Sequence, residues 1–202
     1  MAIATVDAVP ARPPAPEPAR PRVLFIGTSL AIAASVMAFA GLLGIYLSAR
    51  SATVATGDPW LPEGATIPLT PANMAMVTLA LSVVTMQWAI DAVAHHDRPH
   101  AYLALGITAL FGVAYLNAMS FQFTQMGLEI RGSEAAVLIY VITGAHMAMV
   151  AGAMVFALVM AFRTLGGQYA GRDREGITAA ALYWHATVAV FSVIWLAIYV
   201  TK

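Results

Sequence analysis

The chain contains no cysteine in 202 residues. That absence excludes a disulfide framework, a thiolate metal site, an iron–sulfur cluster and c-type haem attachment. Charge is scarce as well. Asp, Glu, Lys and Arg make up 10% of the residues, against about 25% in soluble domains. The ten basic and ten acidic residues cancel and fall almost entirely in expected tails and loops. No basic surface is left to neutralise phosphates, so nucleic-acid binding is excluded. The sequence also lacks a nucleophile motif, a phosphate-binding loop and zinc-ligand spacing. It has neither an internal repeat nor the paired interrupted helices of inverted-repeat transporters, which disfavours a small-solute channel or transporter. What it has in abundance is hydrophobicity, at 60% of residues, and a chain of that composition belongs in a bilayer.

Residues 1–22, rich in Pro and Ala, bury too little apolar surface to offset chain entropy and are expected to form a disordered cytoplasmic tail. Residues 23–202 are expected to form an all-α, five-helix membrane domain. Five apolar runs, at about 24–47, 72–94, 101–123, 135–162 and 178–200, meet the requirement of about 20 residues per span. The first run is too long for a cleaved signal core and counts as a membrane helix. Thr70-Pro71 reads as an N-cap followed by proline at the first helical position, opening the second helix there. The short His95–His100 connection makes helices two and three an antiparallel hairpin. Arg12, Arg20, Arg22, Arg98, Arg163, Arg172 and Arg174 on one side outnumber Arg50, Arg131 and Lys202 on the other. That bias places the N-terminus in the cytoplasm and the C-terminus outside. The loop over 48–70, with Trp60, reads as an outer connector.

Ionisable groups at membrane depth mark pumps, sensors and ion pathways, and here they are nearly absent. Asp91 is the one carboxylate within an expected span. With Gln87 and His95 it forms an i, i+4, i+8 edge, read either as a snorkelling, hydrogen-bonded helix end or as a proton-collecting edge. His146 and His185 have two readings too: hydrogen bonds to neighbouring helices, or ligation of a haem as in a small b-type cytochrome. Small residues recur at helical spacing: Ala40, Gly41 and Gly44 on helix one, and Gly144, Ala148 and Gly152 on helix four. Such stripes let helices approach closely, within the chain or against a partner subunit. Thr78, Ser82 and Thr85 line helix two, and His185, Ala189 and Ser192 line helix five. The eleven methionines read as adaptable packing. From the residues alone, the chain is a non-catalytic membrane subunit.

Three segments carry a resemblance. Met37-Ala38-Phe39-Ala40-Gly41-Leu42-Leu43-Gly44-Ile45-Tyr46-Leu47-Ser48-Ala49-Arg50, Thr143-Gly144-Ala145-His146 and Tyr183-Trp184-His185 occur in the same order as in subunit III of haem-copper oxidases. The resemblance is to the short five-helix bacterial form of that family and runs over about 22–202. It implies a multi-pass protein of the bacterial plasma membrane that binds no haem and no copper itself. The family packs on catalytic subunit I, in a complex that also holds subunit II, keeps structural phospholipid in a cleft, and helps sustain proton uptake. Haem and copper then belong to the partner subunits, and membrane lipids are further partners.

The chain departs from the family pattern at four polar positions. Ser35 stands where the family has a membrane-embedded Glu, and Gln122 precedes Phe123 in place of another acid. Met149 replaces the second His of His-x-x-His, and Val188 replaces an Asp after Tyr-Trp-His. The resemblance therefore describes a divergent member. The accessory protein of nitric oxide reductase, which shares this fold, is an alternative assignment.

Overall fold

The computed structural model describes residues 22–166 and 174–201. The expected tail, apart from Arg22, lies outside the described residues, as do Arg172 and Lys202 of the charge comparison. Five helices follow one another: α1 Val23–Ala55, α2 Leu69–Ala94, α3 Arg98–Gln125, α4 Glu134–Leu165 and α5 Glu175–Ile194, the last continuing through a π-helical segment, Trp195–Val200. Each is long and apolar enough to cross a membrane. The chain is an all-α polytopic membrane protein, and side chains such as Leu30, Met37, Leu110, Val155 and Phe162 stand exposed on its flanks, where lipid replaces water.

The helix ends follow from local chemistry. α2 starts at Leu69, with Pro68 at the N-cap and no side-chain cap, so the expected opening at Thr70-Pro71 is corrected. Pro71 sits in the first turn, where the backbone N–H has no intrahelical partner in any case, and that position accepts proline as readily as the first. α3 opens as an Asp-capped helix: the Asp97 carboxylate accepts from the His100 N–H at 3.2 Å, and Pro99 lies in the first turn. Between α2 and α3 only His95, His96 and Asp97 remain. The α2 terminus is closed by Asp97 N–H to Ala92 O at 2.9 Å and His96 N–H to Val93 O at 3.2 Å. These are the two bonds of a Schellman motif, and its left-handed position falls on His96 at φ 58°.

α2 and α3 form the expected hairpin, the most extensive helix pair in the molecule. α5 is the central helix, packing against α1, α2 and α4, while α4 also reaches α3 and α1. Burial mirrors that order. Of the most apolar window of α5, 44% is buried, against 17% for α1, so α1 is the peripheral helix, held on one face by Phe39, Leu43 and Tyr46. Its N-terminal end is tied to α5 by the Glu175 carboxylate, which accepts the Phe25 N–H at 2.9 Å. An anion at a helix N-terminus satisfies an orphan donor and complements the helix dipole.

At the opposite end the loops pack on the bundle. Thr66 N–H bonds Met126 O at 3.1 Å, Tyr140 Oη donates to Leu128 O at 2.9 Å, and Ile67, Met126 and Leu128 are buried. The connector after α1 is thus a cap on its own helices. In the π-helical end of α5, Thr201 N–H reaches back to Leu196 O at 3.1 Å. The wider turn keeps both Ile198 and Tyr199 facing the core, at 0% exposure.

A left-handed conformation costs an ordinary L-residue about 1–2 kcal/mol relative to glycine. Since the His96 side chain is exposed, His96→Gly is expected to raise stability by about 1 kcal/mol or somewhat less. The thermal unfolding midpoint in detergent measures it, and a lowered midpoint would contradict the strain argument.

Candidate functional site

His146 is a buried polar side chain, at 0% exposure near the middle of α4. Its Nε2 lies 2.9 Å from the carbonyl oxygen of Thr187 on α5. A carbonyl only accepts, so Nε2 carries the hydrogen. In the neutral ring Nδ1 is then an acceptor, and it takes the phenol hydrogen of Tyr115 on α3 at 2.7 Å. Phe191 of α5, Tyr115, and Phe39 of α1 surround the imidazole with ring centroids 5.1, 5.5 and 5.8 Å away. Four helices therefore meet on one side chain, and both of its nitrogens are engaged by the protein.

Further interhelical bonds lie to either side of this point. The Trp184 indole N–H of α5 donates to Ser82 Oγ of α2 at 2.9 Å, and Thr85 of α2 meets Thr108 of α3 at 2.7 Å. Trp184 comes this deep because Gly112 of α3 makes room: a Cβ there would stand 2.7 Å from Met154 Sδ and 3.1 Å from the Trp184 ring. On the loop-capped side, Thr143 of α4 and Tyr199 pair at 3.3 Å, Trp195 donates to Asn73 Oδ1 at 2.9 Å, and the Trp60 indole donates to Tyr46 Oη at 3.3 Å.

The other residues singled out from the sequence occupy distinct places. His185 is half-buried beside the backbone of Val83 on α2, and its buried Nε2 has no hydrogen-bond partner. It does not converge with His146, whose nitrogens face α3 and α5. Tyr183 packs its ring against Phe156, centroids 6.3 Å apart. Asp91 is exposed in the last turn of α2, where His95 Nδ1 stands 3.5 Å from its carboxylate and 2.9 Å from its backbone oxygen. Gln122 is fully buried; its Nε2 donates to Pro68 O at 2.9 Å while Oε1 has no partner. Because Pro68 O only accepts, the amide cannot be turned over. Ser35 bonds only Ala31 O within its own helix, at 2.9 Å. Met149 and Val188 are buried apolar side chains.

The small-residue stripes need a correction as contacts within the chain. At Gly41, Gly44, Gly144 and Gly152 an added Cβ would meet nothing within 4 Å, and Ala148 is exposed. Helical periodicity correctly aligns these residues on one face but carries no information about which way that face turns, and these faces turn outward. The close approach inside the bundle is at Gly112 instead. Gly152 floors a groove of about 490 Å³ between α1 and α4, walled by Leu24, Thr28, Ala31, Phe156 and Tyr183. A second groove of about 210 Å³ lies between α3 and α4, bounded by Leu105, Ala109, Ala157, Phe162 and Trp184. Both are almost wholly apolar and flank the C-terminal half of α4. Among the described residues no group of three His, Asp or Glu side chains is placed to hold a metal ion.

Sequence reasoning missed Tyr115, Glu175 and Gly112. The partners of Tyr115 and Glu175 lie 31 and 150 positions away, and neither leaves a local pattern. Gly112 had a weak signal as a lone glycine inside a helical run.

Comparison with known proteins gives a consistent picture. The model of the family described as "Cytochrome c oxidase subunit III" matches residues 18–202. "Cytochrome c oxidase subunit 3" of Bos taurus is 30% identical over 188 residues, covering 91% of this chain and 70% of the bovine one. The proteins of the same name from Pelomedusa subrufa and Loxodonta africana are 28% and 29% identical over 177 residues, each covering 86% of this chain and 67% of the relative.

The contact at Gly112 gives a direct test of the packing. Gly112→Leu is expected to destabilise the bundle by about 1–3 kcal/mol, the usual cost of overpacking, and to break the Trp184–Ser82 bond. Thermal unfolding together with the tryptophan emission maximum reads both effects. Unchanged values would mean that α3 and α5 do not approach there.

Proposed function

Because the chain belongs to the cytochrome c oxidase subunit III family, we propose that it is a non-catalytic accessory subunit of a haem-copper terminal oxidase in a bacterial plasma membrane. In this role it packs on subunit I within a complex that includes subunit II, retains phospholipid and supports proton uptake. The N-terminus lies in the cytoplasm, and haem and copper reside in the partner subunits.

The observation that carries the reading is how the interior polar groups are used. His146 spends both nitrogens on Tyr115 and Thr187, so ligating an iron would break an interhelical bond. Trp184, Ser82, Thr85 and Thr108 are likewise consumed in joining helices. An interior devoted to holding helices together suits a scaffold better than a haem site. The small-residue faces of α1 and α4, unfilled within the chain, suit close approach by a partner helix. The two grooves, of about 490 and 210 Å³, offer mostly apolar walls to acyl chains. Asp91, His95, Asp97 and His100 cluster at the α2–α3 turn, exposed and paired through hydrogen bonds, and supply titratable groups on the side assigned to proton uptake.

Affinity purification through a tag on this chain tests the assignment. An oxidase subunit I is expected to co-purify, with the Soret absorbance following the partner and absent from the chain alone. A Soret band in the isolated chain would favour a b-type cytochrome instead. Turnover with nitric oxide but not oxygen would favour the nitric oxide reductase alternative.

The groove floor tests lipid retention. Gly152→Leu fits sterically, because open space surrounds the position. It is expected to lower the phospholipid retained by the purified complex while leaving helix content unchanged. Equal lipid content in variant and parent would remove the groove as the lipid site.

A further inference from the structure

A role in packing does not account for the chemistry of Tyr115. It is at 0% exposure, its phenol hydrogen points to an imidazole nitrogen 2.7 Å away, and the far side of that imidazole is held by the Thr187 carbonyl at 2.9 Å. The other described tyrosines with hydrogen-bonded phenols lack such a base. Tyr140 donates to a carbonyl, Tyr199 pairs with a threonine hydroxyl, and Tyr46 receives a hydrogen from an indole. The distinction matters because a phenol that loses an electron becomes a very strong acid. In a medium without water it can be oxidised only if a base already stands within hydrogen-bond reach to take the proton.

We propose that Tyr115 and His146 form a redox-active pair, able to accept one oxidising equivalent inside the membrane domain. The reactant is a one-electron oxidant of high potential, such as an oxygen-derived radical. Tyr115 gives one electron to the oxidant, which is reduced by one electron. Its O–H bond breaks and the proton forms an N–H bond at Nδ1 of His146. The products are a neutral phenoxyl radical and an imidazolium whose Nε2–H remains on the Thr187 carbonyl. A one-electron reductant of the quinol class returns the electron, and the proton goes back from Nδ1 to the phenolate oxygen. The aromatic ring of Phe191, centred 5.0 Å from that of Tyr115, and the phenyl of Phe39 beside His146 shield the pair, which lengthens the life of the radical. The pair rests on this geometry alone and stands whether or not the subunit III assignment of the complex is correct.

Ultraviolet photolysis of the purified full-length chain at cryogenic temperature ejects electrons from tyrosines, and brief annealing lets the radical settle where a proton can leave. High-field electron paramagnetic resonance should then give a neutral tyrosyl radical with the g-shift of a hydrogen-bonded phenoxyl. In protein carrying isotopically labelled histidine it should also show hyperfine coupling to an imidazole nitrogen. Tyr115→Phe should lose that signal. Survival of the signal in Tyr115→Phe, or the absence of imidazole coupling in the labelled parent protein, overturns the proposal. The second measurement needs no variant, so a Tyr115→Phe chain that fails to fold leaves the test intact.

Discussion

A polar group in hydrocarbon has no water to fall back on, and most of the architecture follows from that constraint. His146 meets it by bonding two other helices at once while Phe39 of a fourth closes over the ring. Because the hydrophobic effect does not drive helices together inside a bilayer, these bonds and the close fit around them decide which helices touch. The same rule explains the rest of the interior. Among the described residues the buried Ser82, Thr108, Thr143, Thr187 and Trp184 each find a partner on their own helix or across an interface, and α5 is central because it offers an acceptor to α4, a donor to α2, an aromatic ring to α3 and the Glu175 carboxylate to α1.

The peripheral position of α1 follows from the same logic. Among the described residues, α1 contributes no further interhelical hydrogen bond between Phe25, held by Glu175 at one end, and Tyr46, bonded to Trp60 at the other. Its contact with α4 and α5 rests on a few large side chains. The face turned away carries glycines and alanines with open space above them. In a family that works in a complex, such a face is complete only when something else lies along it.

The fold was largely legible in the sequence because the relevant signal is local and strong. An apolar run of span length has few alternatives to a membrane helix, and all five were of that kind, with Asp91 the one charge within them and close to a helix end. The helix boundaries were less legible. Thr70-Pro71 resembles a helix opening, but proline is tolerated anywhere in the first turn, so it fixes the start only to within a turn. Of the interior, the residue types that need a partner could be named, such as His146, His185 and Gln122. The partners of His146 and Gln122 could not, because Tyr115, Thr187 and Pro68 are backbone groups or ordinary residues far along the chain. The glycine stripes gave alignment without direction, since in lipid an outward face and an inward face have the same composition.

The closure of α2 onto α3 has a further consequence for how the chain enters the bilayer. Three residues and two backbone bonds leave no slack for α2 to cross ahead of α3, and the Thr85–Thr108 bond joins the pair across the interior. The two helices therefore partition as one helical hairpin, joined within the hydrocarbon by the Thr85 and Thr108 hydroxyls. The unit of membrane insertion in this chain is then larger than a single span, and the tight turn, rather than the hydrophobicity of either helix, sets that size.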